Sequence, residues 1–268
     1  MFTESKDFNI YTLTYFKKYN GTDEKVVVPD GVNIISTEAF KGNKSVKSVI
    51  LPSTVTHIQP LAFFDCSSLE KIVLSDNLKY IHNGAFAYCS ALSQIRLPNK
   101  LMEIGMDAFR NSGLTSIELA DNIKIGNNAF ECCSNLKEIT ISSMTTDMGL
   151  YTLGKGAFSN CKGLTKVCFS EGSQHVRLGL FNGCSNLSTV LIPNGVHHIE
   201  DFAFYLCDSL KKIYIPSSVT NIGRSAFDRI DRKNKLTIQA PKGSYAIKYA
   251  KKNHFKYEYV EENPYVNE

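Results

Sequence analysis

No stretch of the 268-residue chain approaches the roughly 18 consecutive apolar residues of a membrane-spanning helix, so membrane insertion is not expected. The opening, MFTESKDFNIYTLTYF, lacks a charged segment followed by an unbroken apolar run, so no secretory leader is visible. A cytoplasmic location follows as it stands; with a leader trimmed away, the location would be the cell surface or secreted. Charge of one sign is scarce: 30 Lys and Arg against 26 Asp and Glu leave +4, and no basic cluster exceeds Lys251-Lys252, so nucleic acid is not an expected partner. There is no GxGxxG or GxxxxGKS/T loop to cradle phosphate. There is no CxxC pair, and Cys132-Cys133 are adjacent, which suits neither zinc nor an easy bridge. The six histidines, His57, His82, His175, His197, His198 and His254, do not recur with a Cys or Ser at a nucleophile-and-base spacing, and His57, His197 and His198 read as solvated surface. No catalytic constellation is left, so the chain is expected to be no enzyme and to need neither metal nor cofactor. Disorder is excluded as well, because 43% of the residues are hydrophobic.

What is present is a repeat. The doublet Ala-Phe places phenylalanine at 40, 63, 86, 109, 130, 158, 181, 204 and 227, with spacings of 23, 23, 23, 21, 28, 23, 23 and 23. Only Leu180 replaces the alanine. The segments LEKIVLSDNLKYIHNGAF (from Leu69) and LSQIRLPNKLMEIGMDAF (from Leu92) superimpose without a gap. Within each unit LxxIxI sets two apolar residues two apart, the period of a half-buried strand, and Pro52, Pro98, Pro193 or Pro216 stops it. Each repeat thus predicts one short strand and a turn. A single unit cannot bury its inward residues, so copies must stack and turn each position into a ladder, with phenylalanine as the spine. An exposed aromatic stripe would also space nine phenylalanines evenly, but the small alanine beside each favours close packing. Six of the eight cysteines, Cys66, Cys89, Cys133, Cys161, Cys184 and Cys207, lie three residues after the repeat phenylalanine, which reads as small buried rungs with free thiols.

The pattern LxxIxIPxxVxxIxxxAFxxCxxL, cleanest in LKKIYIPSSVTNIGRSAF from Leu210 to Phe227, resembles the BspA type of leucine-rich repeat over roughly residues 24 to 240. The segments DFNIYTLTYFKKYNGTDEKVVVPDGV and APKGSYAIKYAKKNHFKY resemble the opening and closing of such arrays. The resemblance implies an α/β leucine-rich-repeat superhelix, mainly strand and loop, curved, with a parallel sheet on its concave side. It also implies a family widely found on bacterial cell surfaces and used for protein or matrix binding. Three parts are expected: an N-terminal cap (1–23), about nine repeat units (24–240) and a C-terminal cap (241–268). FNIYTLTYF alternates, turns at Asn20-Gly21 and returns as Val26 to Val28, which reads as a hairpin lid. At the other end Ser244 reads as a helix N-cap, with Ala246, Tyr249 and Ala250 on one face, followed by a last strand in FKYEYV. Regularity breaks mid-array, around residues 110 to 155, where RNSGL after Phe109 is one residue shorter than AYCSAL after Phe86.

The residue between the two inward apolars of LxxIxI faces the hollow. That column is Ile50, Val73, Arg96, Glu118, Thr140, Cys168, Leu191 and Tyr214, apolar at both ends and polar in the middle. Its neighbour, Ser48, Lys71, Gln94, Ser116, Glu138, Lys166, Thr189 and Lys212, is mostly polar. Ile50, Val73, Leu191 and Tyr214 are candidate anchors for a partner, although strand propensity by itself retains such residues. The longer connection SSMTTDMGLYTL, from Ser142 to Leu153, carries Met148 and Tyr151 and is either a binding loop or a harmless insertion. The function expected is a non-enzymatic protein-binding or adhesion module, acting as a monomer on a host or matrix protein, with a glycan second. The alternative is a cytoplasmic structural or regulatory scaffold.

Overall fold

The computed structural model describes residues 13–120, 123–141, 153–230 and 236–264. The chain winds as a parallel-strand solenoid of about ten turns that ends in one short helix. Each regular turn supplies two strands rather than the expected one. The LxxIxI segment forms the first, as in Ser48–Ile50 and Lys71–Val73; the VxxI segment, read from sequence as a turn, forms the second, as in His57–Ile58 and Tyr80–Ile81. Two residues suffice for the second strand because equivalent residues of successive turns pair in register, His57 with Tyr80 and Ile58 with Ile81, so the ladder is built across turns rather than along them.

The VxxI ladder runs unbroken through six strands, from Tyr15–Phe16 to Lys124–Ile125, and resumes as His175–Val176, His198–Ile199 and Asn221–Ile222. The LxxIxI ladder is divided among the described residues into three three-stranded pieces. The first joins Lys25–Val27, Ser48–Ile50 and Lys71–Val73. The second joins Glu138–Ile141, Lys166–Phe169 and Thr189–Leu191. The third joins Lys212–Tyr214, Thr237–Ala240 and Lys256–Tyr259. Residues 94–97 and 116–119 carry the motif yet form no strand. The irregularity expected at residues 110 to 155 therefore begins one unit earlier on the LxxIxI side, while on the VxxI side pairing continues to Ile125, which bridges Leu153.

Between the two ladders the nine phenylalanines are completely or almost completely buried. Their rings stack at centroid distances of 4.7 to 6.0 Å with interplanar angles of 1 to 17°. Each repeat cysteine Sγ donates to the carbonyl of the preceding turn's phenylalanine, from Cys66 to Phe40 (3.0 Å) through Cys207 to Phe181 (3.3 Å). A small apolar group with one weak donor fits this rung, which explains the recurrence without a disulfide, and all eight cysteines are free. The shortened turn after Phe109 closes because Gly113 lies hard against the Ser90 carbonyl, where a Cβ would collide. Ser112 takes the cysteine position there and meets Cys133 Sγ at 3.3 Å.

The expected N-terminal hairpin is not formed. Tyr15–Phe16 pairs parallel to Ile34–Ile35, and Lys25–Val27 parallel to Ser48–Ile50, so the segment is a further solenoid turn rather than an antiparallel lid. Winding in the same sense puts Phe16 and Tyr19 onto the Phe40 ring, at 5.2 and 5.4 Å, which a reversed strand would not do. At the other end the helix Tyr245–Lys252 starts at Ser244, whose side chain accepts from Ile247 N, and buries Ala246, Ile247, Tyr249 and Ala250. Tyr249 and Phe255 meet Phe227 edge-on at 6.3 and 6.2 Å and end the stack.

Removing one ring from the middle of the stack, Phe86→Ala, should lower the unfolding free energy by about 3–5 kcal/mol, measured by chemical denaturation. Thiol labelling checks the rungs independently. Burial pushes the Cys66 and Cys184 thiols up to about 12 and Cys133 to about 11, whereas Cys132 and Cys168 are only half-buried. Alkylation of the native protein near pH 8 should modify Cys132 and Cys168 first, and the six repeat cysteines only after denaturation.

Candidate functional site

Alternation along each LxxIxI strand turns one residue into the core and the next into the concave face: in Lys25–Val27, Val26 is buried while Lys25 and Val27 are exposed. In the first ladder this lines up Val27, Ile50 and Val73 in register, with Lys25, Ser48 and Lys71 as a parallel polar row. Val27 is 62% and Val73 41% exposed, and Ile50 is half-buried. In the second ladder Thr140, Cys168 and Leu191 pair in register, the first exposed and the other two half-buried. Arg96 and Glu118 are exposed on the two unpaired segments between the ladders. Val27 was missed because KVVV was read as part of a hairpin; the 23-residue offset from Ile50 is the signal that would have found it.

Tyr214 does not stand free as an anchor. It lies on the concave side, paired with Gln239, but only 5% of it is exposed, because its hydroxyl donates to the Glu261 carbonyl at 3.2 Å beneath the C-terminal segment. Nothing in the repeat period announces that a later segment folds back over one rung. Met148 and Tyr151 lie outside the described residues.

Among the described residues, clefts open near both ends of this face. One, of about 920 Å³, lies between Lys71–Val73 and residues 93–98 and has Ile72, Leu74, Ile95 and Leu97 among its walls. The other, of about 1040 Å³, lies beside Cys168, Leu191 and Tyr214 and is edged by Glu171, Glu261 and Glu262, so the two ends of the face differ in charge. Beyond Tyr214, Glu258 accepts from Gln239 (2.7 Å) and pairs with Lys212 (3.3 Å); these bonds hold its carboxyl below the usual range.

The VxxI side carries five of the six histidines, and four of them are more than solvated surface. His57 stacks on Tyr80 at 4.8 Å and lies 5.9 Å from His82; His175 stacks on His198 at 4.8 Å. His197 is exposed, as expected. Among the described residues no group of three or more His, Cys, Asp or Glu is placed to hold a metal ion, and no helix is long and apolar enough to cross a membrane. Burial lowers the pKa of His57, His82 and His175, with like charge from His82 and Lys79 adding at His57 and from His198 at His175. Below the ordinary value near 6.5 the unfolded chain therefore takes up protons that the folded chain refuses. Stability should fall as pH is lowered from 7.5 to 5, read as a falling Tm, and the double variant His57→Gln/His82→Gln should flatten that slope.

A family model for the BspA type leucine rich repeat region matches residues 13–137 and 123–259 in six copies. No curated protein matches the chain. Among solved structures it is similar to a leucine-rich repeat protein from Bacteroides ovatus, at 23% identity and TM-score 0.42, covering 95% of this chain and 100% of that one. It is similar also to the T. pallidum leucine rich repeat protein, at 23% identity and TM-score 0.49, covering 97% and 99%. The pneumococcal vaccine antigen PcpA aligns at 18% identity and TM-score 0.48, covering 93% and 92%. Leucine-rich repeat proteins generally bind proteins, and the family is generally non-enzymatic. With the repeat, the stacked turns and a family match along nearly the whole chain, the protein belongs to the BspA type of leucine-rich repeat proteins.

Proposed function

We propose that the chain is a protein-binding module that engages a host or matrix protein through its concave face, in adhesion at a bacterial cell surface. The row Val27, Ile50 and Val73 carries this reading. A solvated sheet face ordinarily alternates polar residues outward, whereas here three β-branched apolar side chains stand in register on paired strands. Contiguous exposed apolar groups rimmed by charge, here Lys25 and Lys71, mark surfaces that a partner covers. Leu191 and Cys168 form a second, weaker apolar group, and Arg96, Glu118 and Thr140 supply the polar middle. One observation favours a cytoplasmic scaffold instead: eight unbridged cysteines suit a reducing compartment. Surface labelling of intact cells separates the two locations.

The double variant Val27→Glu/Val73→Glu should fold normally, because both side chains face solvent. It should also bind immobilised extracellular-matrix proteins at least about tenfold more weakly than the wild type, roughly 1.4 kcal/mol. His197→Ala, on the other face, should change neither property. Unaltered binding by the glutamate variant would remove the apolar row from the site.

A further inference from the structure

The concave sheet is interrupted beside that row, and the interruption leaves backbone groups without partners. In the closed part of the ladder Val28 N donates to Ile50 O and Leu51 N to Val73 O, each at 3.0 Å. One turn later the equivalent donor, Leu74 N, has no acceptor among the described residues. On the other strand end Ser48 N donates to Glu24 O at 2.9 Å and Lys71 N to Lys47 O at 3.1 Å, yet nothing donates to Glu70 O in the same way. Since Lys71 and Val73 use their backbone groups toward Ser48–Ile50, alternation turns the N–H and C=O of Ile72 into the cleft as well. No backbone hydrogen bond joins residues 93–98 to Lys71–Val73.

The core does not share this opening. The Phe63, Phe86 and Phe109 rings stay 5.0 and 5.2 Å apart, as elsewhere in the stack, so the gap is confined to the concave face and is held open by a rigid frame. Its floor is apolar. Leu74, Ile95 and Leu97 are only partly buried, while their counterparts Val49 and Leu51 one or two turns earlier are buried. An occupant must therefore offer two things together: backbone donors and acceptors at strand spacing, and apolar side chains on the face turned toward the floor. A small molecule or a helix, whose backbone groups are already paired, offers no such combination; an extended peptide does.

We infer that the cleft between Lys71–Val73 and residues 93–98 is a groove for an extended peptide, which adds as a strand to the Lys71–Val73 edge and sets alternate apolar side chains over Leu74, Ile95 and Leu97. This rests on the protein-binding reading of the concave face and specifies the chemistry of what is bound at its N-terminal half. The strand so added would continue the row Val27, Ile50, Val73 by one position, which ties the groove to the exposed apolar stripe. Arg96, exposed at the far wall, stands beside the same position.

The test is amide hydrogen exchange on the full chain with a synthetic peptide LKKIYIP, a sequence that already forms a strand in this sheet at Lys212–Tyr214. In the free protein the amides of Ile72 and Leu74 should exchange fast, while those of Lys71 and Val73 on the same strand are protected. At a peptide concentration about ten times its Kd, exchange at Ile72 and Leu74 should slow about tenfold, with Lys71 and Val73 unchanged. A peptide N-methylated at alternate residues, which keeps the side chains and loses those donors, should not protect them. Full protection of Ile72 and Leu74 without peptide, equal protection by the methylated peptide, or protection confined to the array ends at Lys25–Val27 or Lys256–Tyr259 would each overturn the groove. Because these amides are read independently of the Val27→Glu/Val73→Glu variant, loss of the groove and loss of the protein-binding reading are told apart.

Discussion

The offset stack of phenylalanine rings is the interaction on which the other features of this solenoid depend. No single turn has a core of its own, so each ring is buried only because another lies about 5 Å above and below it. Offset stacking adds about 0.5–1.5 kcal/mol per pair beyond area burial, and the rung geometry follows from it. A small alanine precedes the ring in eight of the nine turns and is fully buried there, with Leu180 buried in its place in the ninth, and a thiol follows because the phenylalanine carbonyl needs a small buried donor from the next turn. The stack also dictates the ends. Phe16 and Tyr19 cover its first ring, and Tyr249 and Phe255 its last, so both ends of the row are closed by aromatic residues from outside the repeat.

A spine of this kind frees the two surfaces from structural duty to different degrees. The VxxI ladder, with two residues per turn, stays paired from Tyr15–Phe16 to Lys124–Ile125, through the turns where the other ladder opens. The LxxIxI ladder opens at residues 94–97 and 116–119 although the rings behind it keep their spacing. Rungs fastened at the core and along one face tolerate local loss of hydrogen bonds on the other. The face that can be spared is also the one that carries the exposed apolar row and the two clefts, so the surface with the least structural obligation is the one available for recognition.

Much of this was legible from residue order. The 23-residue period, the phenylalanine spine, the buried cysteine rungs and the Ser244-capped helix are properties of spacing and side-chain size, which a sequence states directly. The second ladder was not legible, because two residues have no periodicity of their own and become a strand only when neighbouring turns pair with them. The N-terminal segment misled for the opposite reason: its alternation and Asn20-Gly21 turn signal are genuine, but the direction in which a strand pairs is settled by what it must cover, here the Phe40 ring.

The site divides along the same line. Which residues alternate outward from LxxIxI was determined by the sequence alone, since strand geometry leaves no choice once the inward residues are known, and Ile50, Val73 and Leu191 stand where that rule puts them. Which of them is accessible was decided by the tertiary structure. Tyr214 obeys the same alternation and is buried, because residues distant in the repeat order fold back over it. Leu74 and Ile95 are inward by pattern and partly exposed, because the hydrogen bonds that should close their turns are absent. A repeat encodes what each position prefers to face; only the packing of one turn against the next determines what it meets.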